Sequence, residues 1–551
     1  MADDTTRYLC AASYLDPAYS RRAITEFLVE PTRPVPPSPG LDAGRVLTEA
    51  VRARARRKNY DGLLVVLMIV VIGLLWDNPL LYGWIVLSLL LVAARAGKSA
   101  YALEKTLNPK TLVVLGVAIV VAWLLLSYSD EIFDSGSSRY SSRYYQDVEF
   151  GDSSGGDTAR TVIGIVLAVV VCVAVTIERW SLWNLLTTRF KRFAGATGGG
   201  SLTGLLTEDF RGQLARYQGS TGTDGAPGAP LVVYRGYNPF VGAGFRRDAW
   251  SMAIPLERVE DAEGRPELTT EALYDGIRAA IADLRHASAL SPDHRLGGLT
   301  VTEAVFTPAT ELVDHLGEPE AAAYLPDLEH PPHTRLGAAD VARLRTEPKE
   351  WARYYLSFQV ETWDRDLVLT TFLHVAVDDT TLYVEWTPYM LPPIRAEYRV
   401  VDKMRPDSLR PLGQGLLAWL EMPASLPGRI LNLASWIRQP KREPGVVDPD
   451  RYGAASSLRE LASVNLFADY FQLVDITRYE KIIESRLLPA IGKLLEDAGF
   501  STAKFEEQAS VVINNDITIR GDNRGPITQT GVRTPRPRPP ANPGRPARTE
   551  T

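Results

Sequence analysis

The chain has 551 residues, 45% of them hydrophobic and 23% charged, with 60 Lys and Arg against 66 Asp and Glu for a formal net charge of −6. This balance suits a folded chain with room for more than one unit and gives no general attraction to nucleic acid, so no nucleic-acid partner is expected. Two cysteines, Cys10 and Cys172, exclude a disulfide framework and a cysteine-built zinc site within one chain.

From the N-terminus, Tyr8–Glu30 mixes apolar positions (Tyr14, Leu15, Ile24, Phe27, Leu28) with Arg21, Arg22 and Glu26, the pattern of one or two short helices. Pro31–Pro39 ends it, because proline fixes φ and removes donors, leaving an extended spacer. Leu41–Lys58 reads as a basic helix with Leu41, Val46, Leu47, Ala50 and Val51 on one side. Its Arg52, Arg54, Arg56, Arg57 and Lys58 are expected against anionic headgroups. No short hydrophobic stretch with a cleavage site precedes the first apolar block, so no cleaved signal peptide is expected.

Four nearly uninterrupted apolar blocks follow: Gly62–Trp76, Leu80–Ala94, Thr111–Tyr128 and Thr161–Ile177. A hydrocarbon layer about 30 Å thick asks for roughly 17–25 apolar helical residues. The last two blocks meet that directly. The first two are shorter, with Tyr60, Trp76, Tyr82 and Trp84 as headgroup-level aromatics and Asp77-Asn78-Pro79 as a turn between them. The expectation is a four-helix transmembrane unit over residues 58–180, with spans near 60–76, 79–95, 111–128 and 161–178; a re-entrant first hairpin is the alternative. Basic residues before the first block, between the second and third, and after the fourth, set against the acidic stretch 129–160, place both termini in the cytoplasm. The expected location is the inner (plasma) membrane, multi-pass.

Trp180–Phe193 interleaves aromatic residues with Arg189, Lys191 and Arg192, which suits a membrane surface. Glycine runs at 194–204 and 219–229 read as flexible tethers, so residues 181–230 form a juxtamembrane linker, with residues 1–57 as a cytoplasmic N-terminal segment.

The soluble domain is placed at 231–510. Leu231–Tyr234, Trp250–Leu256 and Leu299–Phe306 read as strands, and Glu271–His286 as a helix with Leu273, Ile277, Ile281 and Leu284 on one face. Tyr354–Trp363, Leu367–Val377 and Thr381–Trp386, separated by charged turns, read as an antiparallel meander with one half-buried face. The expected class is therefore a membrane α-helical unit plus a cytoplasmic α+β domain. For Leu412–Arg442, a helix covering the sheet is favoured over an interfacial helix. A capping box at Thr477 and Glu480 opens a helix that Pro489 should kink or split. Within the tail, 511–551, Val511–Ile513 and Asp516–Ile519 look strand-like, and Thr534–Arg548 is Pro/Arg-rich and expected to be disordered. Arg520-Gly521-Asp522 is too short a motif to indicate adhesion.

The blocks Arg7–Asp16 (RYLCAASYLD) and Tyr237–Gly244 (YNPFVGAG), together with the meander, resemble uncharacterised multipass membrane proteins of high-GC actinobacteria. Ile519–Ile527 resembles short Gly/Asn-rich segments of actinobacterial signalling and defence-type proteins. The resemblance implies no activity.

Motifs for chemistry fail on spacing. Gly97-Lys98-Ser99 lacks the upstream glycine of a phosphate loop, and Gly242-x-Gly244 lacks a third glycine. His330 and His333 are separated by two prolines, an extended loop unlike a helical metal site. His374 sits on a strand without an identifiable nucleophile. No catalytic, cofactor-binding or metal residue is assigned, and the four blocks hold no ionisable group of the kind that lines ion pathways. The expected function is an integral membrane protein presenting a cytoplasmic, non-catalytic binding or signalling module. The alternatives are a membrane-tethered enzyme with an unrecognised site and an oligomeric channel-like assembly. Expected partners are the lipid bilayer, a cytoplasmic protein and a second copy of the chain. The candidate binding surface is Tyr237, Asn238, Pro239, Phe240, Gly242 and Gly244.

Overall fold

The computed structural model describes residues 4–30, 32–96, 154–192, 210–217, 228–260, 264–435, 447–464, 467 and 469–514. At the N-terminus, α1 (Asp4–Leu15) turns into α2 (Pro17–Ile24) at Asp16, whose carboxylate accepts the Ala18 N–H at 2.8 Å, with Pro17 at the position where its missing donor is not needed. A wide helical turn, Thr25–Val29, continues α2. Helix α3 (Ala43–Leu74) is capped by Asp42 and runs 32 residues; α4 (Pro79–Ala96), α5 (Ser154–Arg189) and the short α6 (Arg211–Tyr217) follow.

The remainder builds a sheet. In chain order come β1 (Ala229–Tyr234), β2 (Phe245–Arg246), β3 (Trp250–Pro255), α7 (Thr270–Ala282), β4 (Thr300–Pro308), α8 (Ala309–Asp314), β5 (Arg335–Leu336) and α9 (Ala338–Thr346). Then come β6 (Arg353–Thr362), β7 (Leu367–Val377), β8 (Thr381–Leu391), α10 (Ala396–Arg399), α11 (Arg410–Leu420), α12 (Met422–Ala434), α13 (Tyr470–Asp497) and α14 (Ala503–Asn514). Among the described residues eight strands form one sheet in the order β2-β8-β7-β6-β4-β1-β5, with β3 also on β8. All pairs are antiparallel except β1 with β4, which a crossover through α7 makes parallel.

Helices cover both faces. On one, Leu273, Ile277 and Ile281 of α7 and Ile483, Leu487 and Ile491 of α13 meet Leu356, Phe358, Leu373, Val384 and Trp386. On the other, α1, α2 and the first half of α3 bury Leu9, Phe27, Leu28, Val46 and Leu47 in a core shared with Phe240, Phe306, Phe372 and Tyr389. Ion pairs lock the N-terminal helices to the sheet domain. The Arg7 guanidinium donates to Asp402 at 2.6 Å and to the Phe190 carbonyl at 2.7 Å, Tyr8 donates to Asp402 at 2.6 Å, Glu26 pairs with Arg235, and buried Glu30 accepts from Arg451 at 3.0 Å. Helices α1, α2 and the first half of α3 thus supply the second layer of the sheet domain.

The expected class is corrected. Among the described residues one helix, α5, is long and apolar enough to cross a bilayer, not four. The first block is the far end of α3, whose near half belongs to the sheet's core; the second, within α4, is shorter; Thr111–Tyr128 lies outside the described residues. The sheet is mixed and eight-stranded where a meander with one buried face was expected, because a hydropathy pattern cannot reveal that α1–α3 return to cover the second face. Smaller corrections concern the C-terminal third. Asp469, not Thr477, caps α13, Thr477 bonding the Leu473 carbonyl instead. Pro489 lies within that continuous helix, and Val511–Ile513 is helical. Residues 516–530 and the Pro/Arg tail lie outside the described residues.

Burial works to raise the Asp402 carboxyl, but hydrogen bonds from Arg7, Tyr8 and the Arg192 backbone outweigh it and hold its pKa below the ordinary value. A carboxylate with a depressed folded pKa contributes stability that is present above its unfolded pKa and lost as pH falls through the folded one. Arg7→Ala should therefore cost about 3–5 kcal/mol, the usual cost of breaking a buried pair, and should remove part of the acid-side loss of stability, checked by denaturant unfolding from neutral pH downward. Phe240→Ala should cost about 3–5 kcal/mol in the same assay, as for other buried aromatics.

Candidate functional site: an apolar helical lobe on a charged collar

The far half of α3 carries apolar side chains all round. Leu64, Met68, Val71 and Leu75 recur every three or four residues and pack with Leu81 of α4 and Ala168, Val171 and Val175 of α5. Gly164 allows this approach: a Cβ there would lie 2.6 Å from Leu75. The opposite sides remain exposed, with Val66 61%, Leu90 62% and Val166 56% accessible, together with Ile69, Leu89, Val169, Val173 and Ile177. On α5 the exposed run from Val162 to Ile177 extends about 22 Å at 1.5 Å per residue. Exposed apolar side chains gathered in this way mark a surface that contacts another protein or lipid.

Polar groups bound the lobe at both ends. At the tip, Trp76 and Tyr82 are exposed, the Tyr82 hydroxyl donates to the Trp76 carbonyl at 3.0 Å, and Arg160 donates to Gly73 O at 2.8 Å while lying 3.6 Å from Asp77. At the base sits a charged collar. Arg429 of α12 pairs with Asp61 of α3 and lies 3.8 Å from Glu178 of α5, and Asn432 donates to Asp61 at 2.6 Å. Three helices are thereby joined at one level.

Of the basic residues expected at headgroups, Arg54, Arg56, Arg57 and Lys58 fall beside this collar and Arg52, Arg189, Lys191 and Arg192 lie further toward the sheet domain; most serve as internal ties. Arg57 donates to the Ser13 and Tyr14 carbonyls at 2.6 and 2.9 Å, and Lys58 to the Ser435 carbonyl at 2.8 Å, satisfying the carboxyl ends of α1 and α12. Arg54 also reaches Ser435 O, Arg56 donates to the Ser181 hydroxyl at 2.6 Å, Arg52 and Arg189 share buried Glu49, and Arg192 pairs with Asp4. Lys191 is partly exposed beside them.

The loop Gly236–Gly244 splits in two. Tyr237 projects, 97% exposed. Asn238 accepts the Tyr389 hydroxyl at 2.9 Å, Pro239 is half-buried, and Phe240 is the hub of an aromatic cluster, stacked on Phe372 at 4.2 Å and edge-on to Phe306 at 4.9 Å. The Gly242 and Gly244 N–H groups both donate to the Glu460 carboxylate at 2.9 Å. At Gly244 φ is +92° and a Cβ would lie 2.3 Å from Met390 O, so glycine is required.

His374 is mostly buried, its Nδ1 3.0 Å from the Tyr354 carbonyl and 3.3 Å from the Tyr274 hydroxyl, and burial lowers its pKa, favouring the neutral ring. His330 bonds the Asp327 carboxylate at 2.8 Å, and among the described residues no group of three or more His, Cys, Asp or Glu is arranged to hold a metal ion.

Segment 412–442, expected on the sheet, instead packs in the lobe as far as it is described, because Gly415 lets α11 press against α5 and Trp419 and Met422 find the apolar core there. Sequence reasoning missed Asp61, Glu178 and Arg429. Asp61 and Glu178 directly flank the first and fourth apolar blocks, a readable bracket; Arg429 carries no local signal.

The profile of the AbeC-like domain matches residues 249–527, about half the chain, from β3 through α14 and beyond the described residues. It includes α11 and α12 but not α3, α4 or α5, and it speaks to neither a membrane nor a source lineage. No curated protein and no solved structure matches the chain.

Arg429→Leu removes the cation between Asp61 and Glu178, leaving Asp61 with Asn432 alone, and should destabilise the protein by about 3–5 kcal/mol. Asp61→Asn added to it should restore part of the loss, read by thermal unfolding of the full chain in detergent.

Proposed function

From the premise that this chain belongs to the AbeC-like domain family, we propose that it is a membrane-anchored, non-catalytic binding module whose helical lobe lies in the lipid bilayer and whose sheet domain stands at the cytoplasmic surface. The observation that carries this reading is the belt of exposed Val, Leu and Ile on α3, α4 and α5, bounded by Trp76 and Tyr82 at the tip and by the charged collar at the base. Its length of about 22 Å, with an aromatic girdle beyond it, suits a hydrocarbon layer of about 30 Å with α5 as the crossing helix. Most of the basic residues beside the lobe lie on its base side (Arg52 to Lys58, Arg179, Arg189, Lys191, Arg192), against Arg160 at the tip, which supports a cytoplasmic base.

The binding half of the proposal rests on Tyr237. A fully exposed aromatic on a loop whose other residues are fixed by Phe240, Glu460 and Tyr389 is a rigid contact for a protein partner. Ion pairs between α1, α2 and the sheet domain would carry a contact there to the lobe without a flexible joint.

In its host, the full chain should stay in the membrane pellet after alkaline carbonate washing. Each Asp at the centre of a crossing helix costs about 2.5–3.5 kcal/mol, so Val166→Asp/Val169→Asp/Val173→Asp should shift the protein to the washed fraction. Release of the unsubstituted chain by carbonate would refute the anchor. A photo-crosslinking residue at position 237 should yield a discrete protein adduct that one at Tyr383 does not; equal labelling at both would remove Tyr237 from the partner surface.

A further inference from the structure

Helices α11 and α12 start and end at the collar and meet deep in the lobe. Entry is fixed by the Trp183 indole, which donates to Arg405 O at 2.9 Å. At Gly415, α11 presses on α5 so closely that a Cβ would lie 2.7 Å from the Thr176 hydroxyl. Four residues on, the Trp419 indole donates to the Ala168 carbonyl at 3.0 Å and its ring lies 5.3 Å from that of Trp84 on α4. The chain then reverses at Leu420–Met422. Helix α12 climbs back through Arg429 and Asn432 at Asp61 to Ser435, whose carbonyl Lys58 holds. Ala168 is ten residues from Glu178 of the collar, about 15 Å along α5, half the thickness of a hydrocarbon layer of about 30 Å.

A break between helices at that depth would strand backbone groups in an apolar medium unless the protein satisfied them. Here it does. Trp84 donates its indole N–H to Leu420 O at 3.2 Å, Glu421 N donates to Leu417 O at 3.1 Å, Ser425 N donates to Glu421 O at 3.0 Å, and the Ser425 hydroxyl donates to Met422 O at 3.0 Å. Leu420 and Met422 are buried and Glu421 is partly buried. The outward side of the hairpin is mostly apolar and exposed: Leu412 40%, Ile430 44% and Leu431 70%, with Pro427, Gly428 and the polar Gln414 also exposed. The hairpin helices pack against α3, α4 and α5, which carry the belt.

We infer that Arg410–Ser435 is a re-entrant hairpin that enters the cytoplasmic leaflet to mid-depth and presents Leu412, Pro427, Gly428, Ile430 and Leu431 to acyl chains. This rests on the anchor reading above and adds a second point of insertion, contributed by the AbeC-like domain itself. The occupant of that face is lipid, because α11 packs along α5 and α12 along α3 and α4, the same helices whose exposed belt the anchor reading places among acyl chains.

The test uses the full chain in phosphatidylcholine/phosphatidylglycerol vesicles with Cys10→Ser and Cys172→Ser as background. Single cysteines at Val166, Gly428 and Leu431 carry an environment-sensitive dye, quenched by phospholipids brominated at defined acyl positions; Gly428→Cys meets no atom within 4 Å and should fold normally. The expected result is strong quenching at 166 by deep bromines, and quenching at 428 and 431 weighted to shallow bromines, since both flank Arg429 of the collar. Quenching at 166 alone, with 428 and 431 reached by aqueous iodide, overturns the hairpin and leaves the anchor standing. No quenching at 166 overturns the anchor and the hairpin with it. As a readout free of substitutions, an acyl-linked photoactivatable phospholipid should label peptides from 410–435 in the native chain; labelling confined to α3, α4 and α5 counts against the hairpin.

Discussion

The structure depends on the continuity of α3. One helix of 32 residues, about 48 Å long, begins inside the sheet domain's second core and ends in the apolar lobe. Its first half needs partners for Val46, Leu47, Ala50 and Val51, and its second half exposes Val66, Ile69 and Val70. Between them lies a short stretch, Arg54 to Asp61, where Arg54, Arg56, Arg57, Lys58 and Asp61 are each bound to another helix or its end. The two environments cannot slide relative to one another without breaking those ties.

This arrangement accounts for the N-terminal segment. The sheet is apolar on both faces, and α7 and α13 cover only one. The second face needs a layer, which α1, α2 and α3 provide, and Phe240 from the loop after β1 fills the space between them and the sheet. Glu26, Glu30, Glu49 and Glu460 then have defined partners in the surrounding arginines and backbone amides. Buried carboxylates are costly unless paired in this way. The result holds the sheet domain and the helical lobe in one fixed relation.

The collar and the hairpin are two uses of one constraint, that a helix end must have its backbone groups satisfied. At the collar, Arg54, Arg57 and Lys58 cap the carboxyl ends of α1 and α12. In the lobe, an indole and a serine hydroxyl perform that role at the Leu420–Met422 turn, without charge. The choice of donor follows the surroundings: charged where the helix ends meet polar neighbours, neutral where they are surrounded by aliphatic side chains.

Local pattern made part of this legible. Apolar runs longer than any strand marked α5, the alternation from Leu367 to Val377 marked β7 with the bounds it has, and Leu273, Ile277 and Ile281 marked the inward stripe of α7. For these strongly periodic segments the sequence by itself determined helix or strand and which face is apolar, because periodicity is a property of neighbours along the chain; at Val511–Ile513, too short to show a period, it misled. It did not determine what covers those faces. That α3 joins two cores, that Arg429 sits between Asp61 and Glu178, that Phe240 is a hub and not an exposed contact, and that 410–434 packs against α5 and not the sheet were decided by tertiary structure. An apolar stripe is satisfied by any dry surface of the right shape, and only the assembled chain selects which.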